Sequence, residues 1–385
     1  MRILMAVAKY PFPVIGGLEG QVHELAKALV QRRHAVYALS SLFDRRQQAI
    51  SWIEGIHVHR VKWIECRLAR FVLFPFGLAR TLFKLRKHID LVHIHNISWF
   101  GAFVTLFAKA TRLPVITKLP NVGEFGIAGM RRAQFGFLRI ALLKISDAVV
   151  AMTPESAAEL TAIGYPETRV LKVCNGISLV SPTLSRPFAS SQIEVVYAGR
   201  LSPEKGLTDL LHSWAAVKAR TSRRTKLRVV GAGPQNKQLR ELSSVLALGD
   251  TIEFCGYRSD VPTELSRAQI FVLPSYAEGN SNAILEAMRA GLPIVATRIG
   301  GALVQVGSEG ENFLYPPHDR KALTDKLLTL IEDEALRHRL GKAMRERVQE
   351  LFAIEHIAAA YERAYELLLS GRRHQLGQLN TALFS

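Results

Sequence analysis

Short runs of Val, Ile, Leu and Ala alternate along the chain with longer stretches in which apolar side chains return every three or four positions. The short runs fit strands covered on both faces and the longer stretches fit amphipathic helices, so the alternation predicts βαβ units on parallel sheets. The first series of predicted strands is Arg2–Ala8, Ala35–Ser40, Leu91–His95, Val115–Lys118, Ala148–Met152 and Val170–Val173. The second series is Ile193–Gly199, Leu227–Gly231, Ile252–Gly256, Ile270–Pro274 and Ile294–Thr297. The predicted fold is α/β, with two Rossmann-like doubly wound sheets in series.

Asn175-Gly176 and the following SLVSPTLSRPFASSQ carry Pro and Ser without periodicity, so the connection between the sheets is predicted there. The resulting division is 1–180 for an N-terminal domain, 181–192 for a linker, 193–355 for a C-terminal domain and 356–385 for a last helix and tail. The sequence leaves open whether that helix returns to the N-terminal domain. One long helical region is predicted from Arg320 to about Ser370, with Tyr361, Tyr365 and Leu368 on a common face.

A length of 385 residues fits two domains better than one, and 48% hydrophobic with 22% charged residues is ordinary for globular chains. Three scattered cysteines, Cys66, Cys174 and Cys255, give neither a disulfide framework nor paired zinc spacing. The opening MRILMAVAKYPFP resembles neither a leader nor an anchor, so a cytoplasmic protein is expected. Charge is the departure from average: 50 Lys and Arg against 33 Asp and Glu give +17. Residues 1–185 carry 24 basic and 11 acidic side chains, and the remainder 26 and 22, so the excess lies in the N-terminal half. An anionic partner is implied. A specific nucleic acid is not, because no compact basic recognition motif accompanies the charge.

Ligands of doubly wound sheets bind where strands end, so chemistry is sought in the turns that follow them. Gly16 and Gly17 sit between the first strand and a helix, where a backbone can approach a ligand closely. In VVYAGRLSPEKGL, Arg200 and Lys205 bracket a strand-to-helix turn; a guanidinium fork and an ammonium together suit a diphosphate leaving group. In PSYAEGNSNAILEAMRAGLP, Glu278 follows an apolar strand and Glu286 falls in the first turns of a helix opening near Asn282. One carboxylate can hold ribose hydroxyls and the other a sugar ring, while the amides near Ala283, Ile284 and Leu285 face phosphate, with Asn280, Ser281 and Asn282 as further candidate contacts beside them. Glu159 and Glu167 share the same spacing without that strand and turn, and are read as solvated helix charges. Gly231 and Gly233 end one further strand and Tyr257 and Arg258 another, giving four consecutive turns on one rim. His93 and His95 share a strand face, and packing or acceptor contact suits them better than a metal.

The stretch Val195–Gly301, together with GGLEGQVHELAKALVQRRHAV, DLVHIHN and VLKVCNGISL, resembles family 4 retaining glycosyltransferases of the GT-B fold, and the likeness spans nearly the whole chain. It implies two Rossmann-like domains facing each other across a cleft, with the donor in the second. It further implies Arg200 and Lys205 on the donor diphosphate, Glu286 on the ribose, Glu278 on the transferred sugar, and Gly16 and Gly17 against the diphosphate from the first domain. The implied partners are a nucleotide-diphosphate sugar, which is a substrate and not a cofactor, and a glycan or lipid-linked acceptor of polysaccharide or lipopolysaccharide synthesis. Metal independence is implied, and the chain contains no Asp-x-Asp. A non-catalytic or epimerase-like GT-B protein is the alternative. Two departures stand out: Leu119 occupies the place where many relatives carry a His, with Lys118, Asn121 and Glu124 nearby, and Val304 the place of a Glu.

From Arg60 to Lys87 the chain mixes Lys and Arg with Trp63, Phe71, Phe74, Phe76 and Phe83, and Met130–Ser146 has the same character. Such mixtures suit an anionic membrane surface on the inner face of the plasma membrane, or else helices that bury their apolar sides and leave cations in water.

Overall fold

The structure, a computed structural model, describes residues 1–10, 16–44, 46–62, 64, 67–180 and 192–379. Its strands in chain order are β1 (Arg2–Ala6), β2 (Ala35–Leu42), β3 (Ile50–Ile53), β4 (Ile56–Lys62), β5 (Leu91–Ile94), β6 (Val115–Lys118), β7 (Ala148–Ala151), β8 (Val170–Lys172), β9 (Gln192–Ala198), β10 (Arg224–Val230), β11 (Ile252–Gly256), β12 (Ile270–Leu273), β13 (Ile294–Thr297) and β14 (Leu314–Tyr315). They form two sheets, in the orders β3-β4-β2-β1-β5-β6-β7-β8 and β11-β10-β9-β12-β13-β14. Every described pairing is parallel except β3 with β4.

Three strands fall outside the expected set. β3 and β4 form a hairpin on the edge of the first sheet, joined at Glu54 and Gly55, which both take positive φ. Its polar and half-exposed residues hide the strand signal, because an edge hairpin need not be apolar on both faces. β14 is only two residues long.

The chain divides into two compact units, Met1–Ser178 with Ile354–Ser385, and Leu179–Ala353. The expected linker at 181–192 lies outside the described residues apart from Gln192, which opens β9. The long helical region is three helices, Arg320–Glu332, Glu334–Leu351 and Ile354–Leu369. Asp319 starts the first of these and Asp333 interrupts the region after it, because each carboxylate accepts a backbone amide three residues on, from Ala322 and Leu336, and so starts a new helix.

In the first unit, the helices Gly17–Gln31 and Ile354–Leu369 cover one sheet face, packing Val22, Leu25, Tyr361 and Tyr365 against Ile3, Met5 and Ile116. Arg67–Leu85 and Trp99–Ala110 cover the other, with Phe74, Leu78, Phe100 and Val104 against Leu4, Val92 and Val115. In the second unit Leu207, Leu210, Leu211 and Trp214 are fully buried, as helix-period packing predicts.

Candidate functional site

Parallel strands β11, β10, β9 and β12 are neighbours, so the turns that leave them share one rim of the C-terminal sheet. After β9 the chain makes a tight turn, Pro203–Lys205, and enters the Leu207–Arg220 helix through Gly206, whose φ is 68°. A Cβ there would run into the Pro274 carbonyl. This close approach lets the loop after β12 lie against the loop after β9. Lys205 and Glu278 consequently form a direct ion pair, with 20% and 15% of their side chains exposed. Glu278 Oε1 also accepts the Ser275 hydroxyl at 2.9 Å, and Thr297 Oγ1 donates to the Ser275 carbonyl. Tyr276 N donates to the Glu204 carbonyl at 2.8 Å, tying the two loops together.

Arg200 is exposed on this rim, and its carbonyl accepts Tyr197 Oη at 2.8 Å. Gly231 and Gly233 are small for a reason: a Cβ on either would strike the Gly199 or Leu201 carbonyl. Leu201 N donates to Ala232 O and Gln235 N to Leu201 O, both at 3.0 Å. Tyr257 is 64% exposed, and Arg258 Nε lies 3.5 Å from Glu264 Oε1. Asn280 and Ser281 are buried and lead into the Asn282–Arg289 helix, where Asn282 and Ala283 are partly exposed. The Ile284 side chain is in the core, so only its main chain, the group expected to face phosphate, is available to a ligand. Glu286 is partly buried; burial pushes its carboxyl up to about 7, opposed by the Arg289 charge.

Two supports escaped sequence reasoning. Gln305 clamps the start of that helix: its Nε2 donates to Ser281 O at 2.7 Å, and its Oε1 accepts Ser281 N at 3.1 Å. Asp209 accepts Tyr276 Oη at 2.5 Å and Arg320 Nε at 2.6 Å, and the His318 ring lies 4.0 Å from that of Tyr276. These residues are far apart in sequence, so no local spacing announces them.

The N-terminal sheet presents its own rim. Gly16 and Gly17 open the helix after β1, with Gly16 extended at φ −170°. His95 follows β5, and Lys118 ends β6 with 2% exposure. Lys118 Nζ donates to Asn175 Oδ1 at 2.6 Å, and burial pushes its ammonium down to about 8. His93 and His95 are stacked with ring centres 3.9 Å apart, and Tyr365 Oη is 2.7 Å from His93 Nδ1. Burial, with Lys118 nearby, holds both imidazoles well below their usual range. His93 Nε2, both His95 ring nitrogens and Tyr361 Oη have no hydrogen-bond partner among the described residues. Leu119 points to the opposite face, among Ile127, Met130 and Val149.

Glu159 corrects its expected role as a solvated charge. It accepts Gly123 N at 2.7 Å and Ile127 N at 3.0 Å, anchoring the loop after β6. Glu167 is exposed and 3.5 Å from Lys172, as expected of a surface charge. Among the described residues no three His, Cys, Asp or Glu side chains gather as a metal site, and no helix is long and apolar enough to cross a membrane.

Two Rossmann-like units, the second with cations, carboxylates and a helix N-terminus on one rim, define the class of two-domain doubly wound α/β proteins. The family models for "Glycosyl transferases group 1" and "Glycosyltransferase Family 4" match residues 185–347 and 15–180. The chain belongs to the GT-B group 1 glycosyltransferases. It is 25% identical over 379 residues to N-acetyl-alpha-D-glucosaminyl L-malate synthase of Bacillus anthracis, covering 95% of this chain and 97% of that one. Sucrose-phosphate synthase from Thermosynechococcus elongatus superposes with a TM-score of 0.81 at 23% identity, covering 96% and 99% of the two chains. Anabaena HepE in complex with UDP-glucose does so with 0.77 at 20% identity, covering 95% and 99%.

Proposed function

We propose that this glycosyltransferase moves a sugar, with retention of anomeric configuration and without a metal, from a nucleotide-diphosphate sugar to a glycan or lipid-linked acceptor. The observation that carries the reading is the set Lys205, Glu278 and Ser275, held together on the rim beside the Asn282–Arg289 helix. The UDP-glucose in the HepE structure supports a uridine diphosphate donor here as well.

In this reading the donor diphosphate lies against Arg200, Lys205 and the amides of the helix start, which neutralise the charge that builds as the glycosidic bond breaks. Glu278 receives hydroxyls of the transferred sugar, and Glu286 those of the ribose. Acceptor oxygen attacks from the leaving-group side, and the departing phosphate takes its proton. The acceptor side rests on the N-terminal rim, where the His95 ring nitrogens and Tyr361 Oη have no partner among the described residues. Acceptors of cell-surface polysaccharide or lipopolysaccharide assembly match the basic N-terminal unit.

A thermal-shift screen of UDP-, GDP- and ADP-sugars tests the donor assignment, because a ligand that binds only the folded chain raises its melting temperature by mass action. Stabilisation by one nucleotide sugar is expected without added divalent cation. A screen in which none stabilises the chain overturns the reading. Proton NMR of the product's anomeric centre tests retention.

A further inference from the structure

Three helices lie side by side on one face of the N-terminal sheet, Arg67–Leu85 against Trp99–Ala110 and Trp99–Ala110 against Gly136–Lys144. The inward side of the first buries Phe74, Leu78, Leu82 and Leu85, which corrects the expectation that Phe74 faces a membrane. Of the other aromatic residues expected there, Trp63 and the Phe71 side chain lie outside the described residues, and Arg60 belongs to β4, where its guanidinium is bonded to Gln48 O and Ser51 Oγ. What remains outside is sharply defined. Leu73, Phe76, Arg80 and Phe83, spaced three and four apart, form one exposed stripe, with Phe76 72% and Phe83 59% exposed. Lys84 and Lys87 flank it, and the Arg86 guanidinium sits 3.3 Å over the Phe83 ring. The middle helix adds exposed Leu106. The third adds Phe137 at 69% together with Leu138 and Lys144, preceded by exposed Arg131 and Arg132.

Large exposed apolar side chains gathered on neighbouring helices mark an interaction surface. The cations interleaved with them select its partner: an acidic surface that also accepts rings to shallow depth is an anionic bilayer interface. We propose that the N-terminal unit docks on anionic lipid through this three-helix face, with Phe76, Phe83 and Phe137 entering the interface and Arg80, Lys84 and Lys87 meeting headgroups. The proposal deepens the reading of a lipid-linked acceptor by naming the surface that brings the enzyme to it.

The test is sedimentation of the full chain with vesicles of phosphatidylcholine alone and with about a third phosphatidylglycerol, at low and high salt. Binding to the anionic vesicles is expected to fall with salt and to be weak on phosphatidylcholine. The variant Arg80→Glu/Lys84→Glu/Lys87→Glu should lose on the order of 100-fold in vesicle affinity, and Phe76→Ser/Phe83→Ser/Phe137→Ser about tenfold. These positions are at the surface, so the melting temperature should hold. Lys237→Glu/Lys321→Glu/Lys342→Glu makes the same charge change at exposed sites of the other unit and should bind as the parent does. Equal loss in that control, equal binding to phosphatidylcholine, or a dimer that dissociates in the phenylalanine variant would each overturn docking through this face. Calorimetry of UDP-sugar binding without vesicles separates the two claims: docking without donor binding leaves this face standing and removes the proposed function, and the reverse removes only the face.

Discussion

The rims of the two sheets treat polar groups in opposite ways. On the C-terminal rim two carboxylates are already engaged: Glu278 with Lys205 and Ser275, Asp209 with Tyr276 and Arg320. On the N-terminal rim His93, His95 and Tyr361 bury ring nitrogens and a hydroxyl without partners among the described residues, next to a buried ammonium. The surfaces differ too. Of the large apolar side chains exposed among the described residues, twelve belong to the N-terminal unit and four to the C-terminal unit. A buried polar atom without a partner costs about 1–3 kcal/mol, so the two rims differ in the cost of holding their polar groups. The C-terminal rim is bonded within itself, whereas the N-terminal cluster keeps buried polar atoms without partners among the described residues.

The largest effect should come from breaking the bonded rim. If the proposed function holds, Lys205→Ala removes a cation from where diphosphate charge develops, and turnover should fall about 10²–10³-fold with a smaller change in donor affinity. Steady-state kinetics with a UDP-sugar measures both. Undiminished turnover would remove Lys205 from the chemistry and leave its ion pair with Glu278 as simple bracing.

Next is Lys118→Met, which sharpens the comparison by moving stability and activity in opposite directions. Burial lowers the folded ammonium from 10.5 to about 8. Between those values the unfolded chain binds the extra proton, so stability rises with pH, and below 8 the buried charge opposes folding by about 3 kcal/mol. The methionine variant should therefore melt several degrees higher at neutral pH, and the rise in stability above pH 8 should disappear. If the N-terminal rim is a working surface, the same variant loses at least about tenfold in transfer. A stabilised and fully active variant would reduce the cluster to a packing feature.

Much of this was legible in the chain. Apolar runs announced the long parallel strands because both faces are buried, and turns after β9 to β12 could be placed on one rim because parallel strands all end on the same side of their sheet. The β3–β4 hairpin was not legible, since residues such as Trp52 and His57 pair with each other instead of with a core. Nor were Gln305, Asp209 and the anchoring role of Glu159, because each acts through a backbone amide or a side chain brought near only by folding. The Glu159–Glu167 spacing could not separate an anchor from a solvated charge, and only the loop position after β6 does so.

A smaller effect is expected at Glu286, where pH distinguishes a ligand role from a structural one. Burial raises its folded carboxyl from 4.5 to about 7. The folded state therefore holds the proton more tightly, and stability contributed by the neutral acid is lost as pH rises from 4.5 through 7. A carboxylate that accepts ribose hydroxyls must be ionised, so nucleotide affinity should move the other way and rise about tenfold between pH 6 and 8. Glu286→Gln keeps the shape, removes the titration, and should bind nucleotide about tenfold more weakly at pH 8 with a flat profile.

The smallest change concerns Tyr276, whose hydroxyl reaches Asp209 while its amide holds the Glu204 carbonyl. Tyr276→Phe leaves the amide bond and the ring against His318 in place, but deprives the Asp209 carboxylate of one donor while Arg320 remains. Losing one hydrogen bond to a charged group that keeps another is worth about 1 kcal/mol, or a few degrees in melting temperature. If the network only braces the loop that carries Glu278, turnover should drop less than tenfold and donor affinity should hold. A loss as deep as that of Lys205→Ala would instead make Tyr276 part of the reacting rim and show the C-terminal unit to be less completely preassembled than its hydrogen bonds suggest.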